Sequence, residues 1–253
     1  MSGTGELVVA RPAHGVVVLE LHRPRRRNAL TLALMAALAA TLDALAADGE
    51  TRCVVLTGAP PAFCAGGDLA ELRDGDARHY AAYCASYRTI ARAVRGLGCP
   101  LVAAINGPAV AGGLELACLA DLRLVAEDAF LAGGDARLGL PTTSGLSWLL
   151  PRLVGVGQAR RILFTDVRVG AREALALGLA EEVHAADALV ARAVELAAEI
   201  AAMPGSGIAR TRRLIDDGLT STHEQAMAAE LDEQAAAYGD PAVQEAFAAF
   251  FTR

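Results

Sequence analysis

Two glycine-rich segments each follow an apolar run and lead into a helical pattern. They are Phe63-Cys64-Ala65-Gly66-Gly67-Asp68-Leu69 and Ile105-Asn106-Gly107-Pro108-Ala109-Val110-Ala111-Gly112-Gly113-Leu114-Glu115-Leu116. The start of a helix leaves its first backbone N–H groups without intrahelical partners, and such groups bind negative charge. One loop of this kind reads as a tight strand-to-helix turn that uses glycine for its backbone angles. Two in succession point to a pair of backbone donors that could face one oxygen. Neither segment ends in the Gly-Lys-Ser/Thr of a phosphate loop, and neither has the dinucleotide fingerprint with its distant ribose-binding acid, which argues against nucleotide cradling. In the first loop Asp68 and Glu71 have the spacing of a capping box.

Glu115 falls one turn into the helix that the second loop opens. A carboxylate placed beside a pair of donors can move protons as a general acid or base if partial burial brings its affinity for the proton toward neutrality. The alternative is a first-turn glutamate that only stabilises a helix N-terminus. His14, His22, His79, His184 and His223 show no metal-ligand spacing, so no metal is expected. The chain also lacks a Gly-x-Ser-x-Gly elbow, so serine-based acyl transfer has no support.

These groups need a scaffold, and 253 residues suffice for a substantial core. Much of the apolar fraction of 54% is alanine and only 4% of the chain is aromatic, which indicates helix-rich composition rather than a membrane protein. The most apolar stretch, Leu30 to Ala47, is broken by Thr31, Thr41 and Asp43 and reads as a buried amphipathic helix. Residues Met1 to Gly5 lack the pattern of a secretory signal, so a cytoplasmic protein is expected. A net charge of −6 argues against nucleic acid as a partner. Five cysteines, Cys53, Cys64, Cys84, Cys99 and Cys118, are odd in number and widely spaced, consistent with reduced thiols.

Strand-like runs at Leu7 to Ala10 and Val16 to Leu21 flank the turn residues Arg11 to Gly15 and predict an opening hairpin. Apolar spacing predicts a helix over Leu30 to Leu45, a strand over Cys53 to Leu56, helices through Arg73 and from His79 to Leu97, and a strand over Leu101 to Ile105. A helix over Gly113 to Ala120 and a strand over Leu122 to Val125 follow. This alternation predicts an α/β core with parallel strands and crossover helices. Beyond Val183 only helical patterns remain: Ala186 to Ala202, Gly207 to Asp217, Ser221 to Tyr238 and Pro241 to Phe251. The expected division is a catalytic core over residues 1–185 and a helical region over 186–253.

Phe63 to Leu69, Asn106 to Ala117, and Arg23-Pro24 with Asn28-Ala29-Leu30 together resemble the signature regions of the crotonase (enoyl-CoA hydratase/isomerase) superfamily. The resemblance runs from about Glu6 to Val183 and weakens beyond. It implies an α/β spiral of ββα units with a C-terminal helical region used for trimerisation, and a homotrimer or dimer of trimers. It also implies an acyl-CoA thioester as substrate, with no separate cofactor. In this family two backbone amides hold the thioester oxygen, and the matching positions are Gly67 and Gly112. Preorganised donors about 2.7 to 3.1 Å from a developing enolate oxygen each contribute several kcal/mol. Glu115 matches the first catalytic glutamate.

Hydratases of the family carry a second glutamate before a Leu-Gly-Leu stretch and a proline. Counting back from Leu138-Gly139-Leu140 puts Asp135 there. Aspartate is one methylene shorter, the count from Phe130 is one residue long, and the segment after Leu140 is one short. The other reading of Asp135 is a surface turn residue beside Gly133-Gly134. Two carboxylates would suit addition of water to a 2-enoyl-CoA, whereas one would suit a double-bond isomerase; a non-catalytic acyl-CoA-binding subunit is the third reading. The resemblance assigns CoA contacts to Arg25, Arg26, Ala65, Asp68 and Leu69, and a solvated basic turn is the other reading of the arginines. Thr143, Ser144 and Trp148 are expected to shape the acyl pocket, and residues 70–90, with Arg73, Tyr80, Tyr83 and Tyr87, to line it. Phe247 and Phe250 could pack on adenine, but their helical spacing favours core or subunit packing.

Overall fold

The computed structural model describes residues 6–73 and 75–251. Strands β1 (Leu7–Ala13) and β2 (Val16–Leu21) form the expected antiparallel hairpin, with a register shift between Ala10 and Ala13. Helix α1 (Leu32–Ala47) starts at Thr31, whose side chain accepts from Leu34 N, and buries Leu34, Met35, Leu38, Leu42 and Leu45 along one stripe. Each such leucine is worth about 1.5–3 kcal/mol of burial.

Strand β3 (Cys53–Gly58) is buried at every residue, as expected of a central parallel strand covered on both faces. Helices α2 (Leu69–Arg73) and α3 (Ala77–Gly96) lead to β4 (Leu101–Ile105), β5 (Ala109–Val110) and α4 (Gly112–Leu119). Then come β6 (Leu122–Ala126), β7 (Phe130–Ala132), α5 (Leu146–Thr165), β8 (Val169–Gly170), α6 (Ala171–Leu177) and β9 (Glu182–His184). The chain ends in α7 (Leu189–Ala201), α8 (Gly207–Gly218), α9 (His223–Tyr238) and α10 (Pro241–Phe251).

The main sheet has the order β1-β2-β3-β4-β6-β9, parallel from β2 onward. A smaller sheet, β5-β7-β8, lies beside it. Single bridges from Leu30 to Gly67 and from Cys64 to Ala109 continue that second layer toward the N-terminus. Each turn of the chain therefore gives one strand to the large sheet, a short extended stretch to the small one, and then a helix. This is the spiral of ββα units that the sequence resemblance implies.

The differences from the sequence reading have local causes. Strands β5, β7 and β8 have two or three residues, too few to show an alternating pattern. Helix α5 contains Pro151 and is kinked at Gly155, whose φ is 76°, so two helix breakers mask its period. Strand β9 extends one residue past Val183. Helix α7 falls on the helical side of the expected division at 185/186, yet its Leu189, Ala193 and Ala197 are part of the main core. Helices α8, α9 and α10, by contrast, bury only Arg212 among the described residues.

Candidate active site

The second layer assembles a cavity of about 660 Å³. Its walls come from the two glycine loops, from Tyr80, Tyr83, Cys84 and Tyr87 of α3, and from the stretch Phe130 to Thr143. Gly67 and Gly112 both line it. Gly67 sits in a parallel bridge whose hydrogen bonds run from Leu30 N to Gly66 O and from Asp68 N to Leu30 O, at 2.8 and 2.9 Å. That pattern leaves the N–H of Gly67 unspent on Leu30. Gly112 is the first residue of α4, where an N–H has no intrahelical partner. Ala111 before it has φ 49° and ψ −115°, so the chain turns sharply into the helix.

Glu115 is only 2% exposed yet reaches the cavity. Its Oε1 accepts from Thr143 N at 2.6 Å, and its Oε2 accepts from Thr143 Oγ1 at 2.7 Å and Ser144 Oγ at 2.6 Å. Burial of this carboxylate is therefore matched by three donors. Asp135 opens a 3-10 turn, Asp135–Leu138, and lines the same cavity. Burial, then the charges of Glu115 and Asp166, push its carboxyl from the ordinary 3.8 up to about 7. Two carboxyl groups with different surroundings thus share one pocket, the arrangement that separates an acid from a base.

The remaining expected contacts divide. Ala65 and Leu69 line the cavity, Leu69 being exposed. Asp68 is buried and turned inward: its Oδ2 accepts from Arg23 Nη2 at 3.0 Å and its Oδ1 from Ala70 N at 3.1 Å and Glu71 N at 3.4 Å. The Arg23 guanidinium and these N–H groups hold its carboxyl below the usual range despite burial. The capping box does not close, because Glu71 accepts instead from Leu32 N at the start of α1. Arg25 and Arg26 are exposed and border a separate depression with Glu6 and His22, whereas Arg27 lines the cavity. Consecutive left-handed residues, Arg27 at φ 50° and Asn28 at φ 56°, make that turn. Asn28 is fully buried and locks it by donating to Ala59 O and Ala62 O, both at 2.7 Å.

Tyr80, Tyr83 and Tyr87 line the cavity as expected of residues 70–90, while Arg73 is not among its walls. Trp148 is not a lining residue either and lies under Arg152, 3.9 Å from ring centroid to guanidinium carbon. Phe247 and Phe250 are 51% and 79% exposed, which removes core packing as their role within this chain. Arg137, Asp166 and Arg168 also line the cavity and had no sequence signal, since residues of α5 and its flanks were not assigned to any element. Among the described residues no group of three or more His, Cys, Asp or Glu side chains could hold a metal ion. No helix of the described residues is long and apolar enough to cross a membrane.

Paired glycine loops beside a buried carboxylate, on a ββα spiral, define an enzyme of the crotonase superfamily. The family described as Enoyl-CoA hydratase/isomerase matches residues 11–253, and the chain belongs to it. The enoyl-CoA hydratase AFT3-1 of Alternaria alternata is 34% identical over 205 residues, covering 80% of this chain and 69% of that protein. The solved enoyl-CoA hydratase of Bacillus anthracis superposes with a TM-score of 0.94 at 32% identity, over 98% of this chain and 96% of that one. A monofunctional enoyl CoA isomerase from M. smegmatis superposes with a TM-score of 0.77 at 31% identity, over 88% and 99%. Membership makes the protein a lyase or an isomerase of this family.

Proposed function

We propose that the enzyme is an enoyl-CoA hydratase, adding water across the double bond of a 2-enoyl-CoA. The thioester oxygen accepts from the N–H groups of Gly67 and Gly112, which stabilise the enolate as electrons flow toward the carbonyl. Glu115 takes a proton from water as its oxygen attacks the β carbon, and protonated Asp135 gives a proton to the α carbon. The product is the 3-hydroxyacyl-CoA. One observation carries this reading: two carboxyl groups line one cavity, Glu115 held by three donors and Asp135 raised to about 7.

Δ3-Δ2-enoyl-CoA isomerisation is the second reading, because Glu115 alone could carry a proton between the α and γ carbons. Its support is the likeness to the M. smegmatis isomerase. In either reaction acyl-CoA is the substrate, no separate cofactor is required, and Ala65, Leu69 and Arg27 are the nearest candidates to meet the CoA moiety. We place the enzyme in the cytoplasm as a homotrimer or dimer of trimers joined through the 186–253 helices. Exposed Leu231, Phe247, Phe250 and Phe251 support that association.

The test follows the ultraviolet absorbance of the enoyl thioester when purified protein meets crotonyl-CoA, beside Glu115→Gln. Loss of absorbance with wild type and not with the variant is expected. Crotonyl-CoA left untouched by wild type, with 3-enoyl-CoA converted, would replace hydration with the second reading.

A further inference from the structure

Thr143 and Ser144 sit between the Asp135 turn and α5, at the point where a side chain would ordinarily cap a helix. Neither does so. The N-cap of α5 is Gly145 and makes no side-chain cap hydrogen bond. Both hydroxyls are directed instead to Oε2 of Glu115, at 2.7 and 2.6 Å. Ser144 reaches it from φ 47°, a left-handed backbone conformation that residues with a Cβ rarely adopt.

A carboxylate oxygen offers two lone-pair positions. Oε2 has both filled by hydroxyls, and Oε1 has one filled by Thr143 N–H. The open position is on Oε1. We propose that Thr143 and Ser144 are positioning residues, a hydroxyl clamp that saturates Oε2, fixes the rotamer of Glu115 and directs its proton transfer through Oε1. This rests on the reading of Glu115 as the acid/base group. The left-handed backbone at Ser144 is the cost of aiming its hydroxyl, which fits strain kept where a site needs it.

The experiment measures kcat, KM and Tm for Thr143→Val, Thr143→Ser, Ser144→Gly, Ser144→Ala and Glu115→Gln. Hydration of crotonyl-CoA and isomerisation of a 3-enoyl-CoA are both assayed. Thr143→Val is expected to lower kcat about tenfold to a hundredfold, the scale of a misplaced reacting group, with KM within about threefold. Thr143→Ser restores the hydroxyl and is expected to return kcat to within about threefold of wild type. Ser144→Gly and Ser144→Ala both delete the hydroxyl and are expected to lower kcat, but Gly also relieves the left-handed backbone and so is expected to melt about 2–4 °C above Ser144→Ala. Ser144→Ala keeps the backbone conformation and loses both Tm and kcat.

If Thr143→Val and Ser144→Gly keep wild-type kcat while Glu115→Gln is inactive, the clamp is overturned and Glu115 keeps its role. If Glu115→Gln retains activity, the acid/base reading falls and the clamp with it. The Tm arm needs no substrate: Ser144→Gly melting no higher than Ser144→Ala overturns the claim that the backbone is held under strain for the hydroxyl.

Discussion

Tyr87 stands directly behind Gly112: a Cβ on that glycine would lie 2.2 Å from the phenol oxygen. One turn earlier on α3, Tyr83 backs Gly67 in the same way, with its oxygen 2.7 Å from an added Cβ. The two rings meet edge to face, 5.7 Å between centroids at 71°. Tyr83 also donates to Leu30 O at 2.8 Å, which ties the pair to the bridge that holds Gly67. A single helix face thus supports both glycines of the candidate oxyanion site, and burial pushes both phenols up, so they remain neutral donors.

Gly112→Ala should therefore displace Tyr87 and carry the α4 N-terminus with it. We expect kcat/KM to fall at least about a hundredfold and stability to fall by about 1–3 kcal/mol from overpacking. Tyr87→Phe removes the clashing oxygen, so the double variant should recover about 1 kcal/mol relative to Gly112→Ala alone. Denaturant melts of the four proteins check this. Additive losses would mean that the phenol oxygen is not the atom that excludes a side chain at Gly112 and that the ring carbons, 2.8 and 2.9 Å from an added Cβ, do so.

Asp135 gives the enzyme a pH dependence with a defined sign. Its carboxyl is raised from 3.8 to about 7, first by burial and then by the charges of Glu115 and Asp166. As the proposed donor to the α carbon it works only when protonated, so hydration should decline as pH rises through about 7. Asp135→Asn should abolish this limb and lower kcat at pH 6 by about a hundredfold or more. Stability follows the same group. Between about 4 and about 7 the folded chain binds more protons here than the unfolded chain, so wild type loses stability as pH rises across that window. Asp135→Asn lacks this loss and should be the more stable protein at pH 8, by about 1–2 kcal/mol once solvent at this half-buried group is allowed for. A wild-type profile flat from pH 6 to 8 with unchanged melts would remove Asp135 from both roles.

How far the sequence revealed this site depended on whether a residue acts through its own local pattern. The glycine loops and Glu115 were legible because their geometry is set within a dozen residues, by a strand end, a turn and a helix start. Tyr80, Tyr83 and Tyr87 were expected only as part of the 70–90 stretch that lines the pocket. Asp68 was visible as a polar residue in a signature loop, but its inward turn depends on Arg23, 45 positions away. The sequence reading named Arg25 and Arg26; that Arg27 is the one of the run to line the cavity goes with two left-handed residues, Arg27 and Asn28, that an Arg-Arg-Arg run does not disclose. Thr143 and Ser144 were assigned to the pocket wall, whereas their contacts to Glu115 join segments 28 and 29 positions apart. The long strands and most helices of the core read well because their apolar residues form a continuous pattern, whereas α5, broken by Pro151 and Gly155, did not. The strands of the second layer, two or three residues each, carry too little pattern to be read without the first.

Arg212 shows how the C-terminal helices bear on the site without approaching it. It is the one buried residue of α8, at 8% exposure. Its Nε donates to both oxygens of Asp121 at 2.9 Å, and its Nη atoms donate to Val94 O at 3.0 Å and Leu97 O at 3.1 Å, at the C-terminal end of α3. A guanidinium there donates to carbonyls at the helix end, Val94 O also accepting from Leu97 N at 3.2 Å, and complements the negative pole of α3. Asp121 in turn accepts from Leu101 N at 2.7 Å, so the same pair fixes the start of β4. Arg212→Met leaves the Asp121 carboxylate without its guanidinium partner and removes the side-chain donors from Leu97 O and Val94 O, and removal of one partner of a buried pair costs about 3–5 kcal/mol. Because part of the Asp121 side chain reaches solvent, about 3 kcal/mol is the expected loss, with Tm falling by about 6–12 °C. Arg212→Lys keeps the charge but not the planar fork that reaches Asp121 and two carbonyls together, so it should recover less than half of that loss. Adding Asp121→Asn to Arg212→Met should restore about 1 kcal/mol by removing the stranded charge. Thermal melts decide it: a loss below about 1 kcal/mol for Arg212→Met would mean that water replaces the guanidinium, and that α8 does not hold the end of α3 in place.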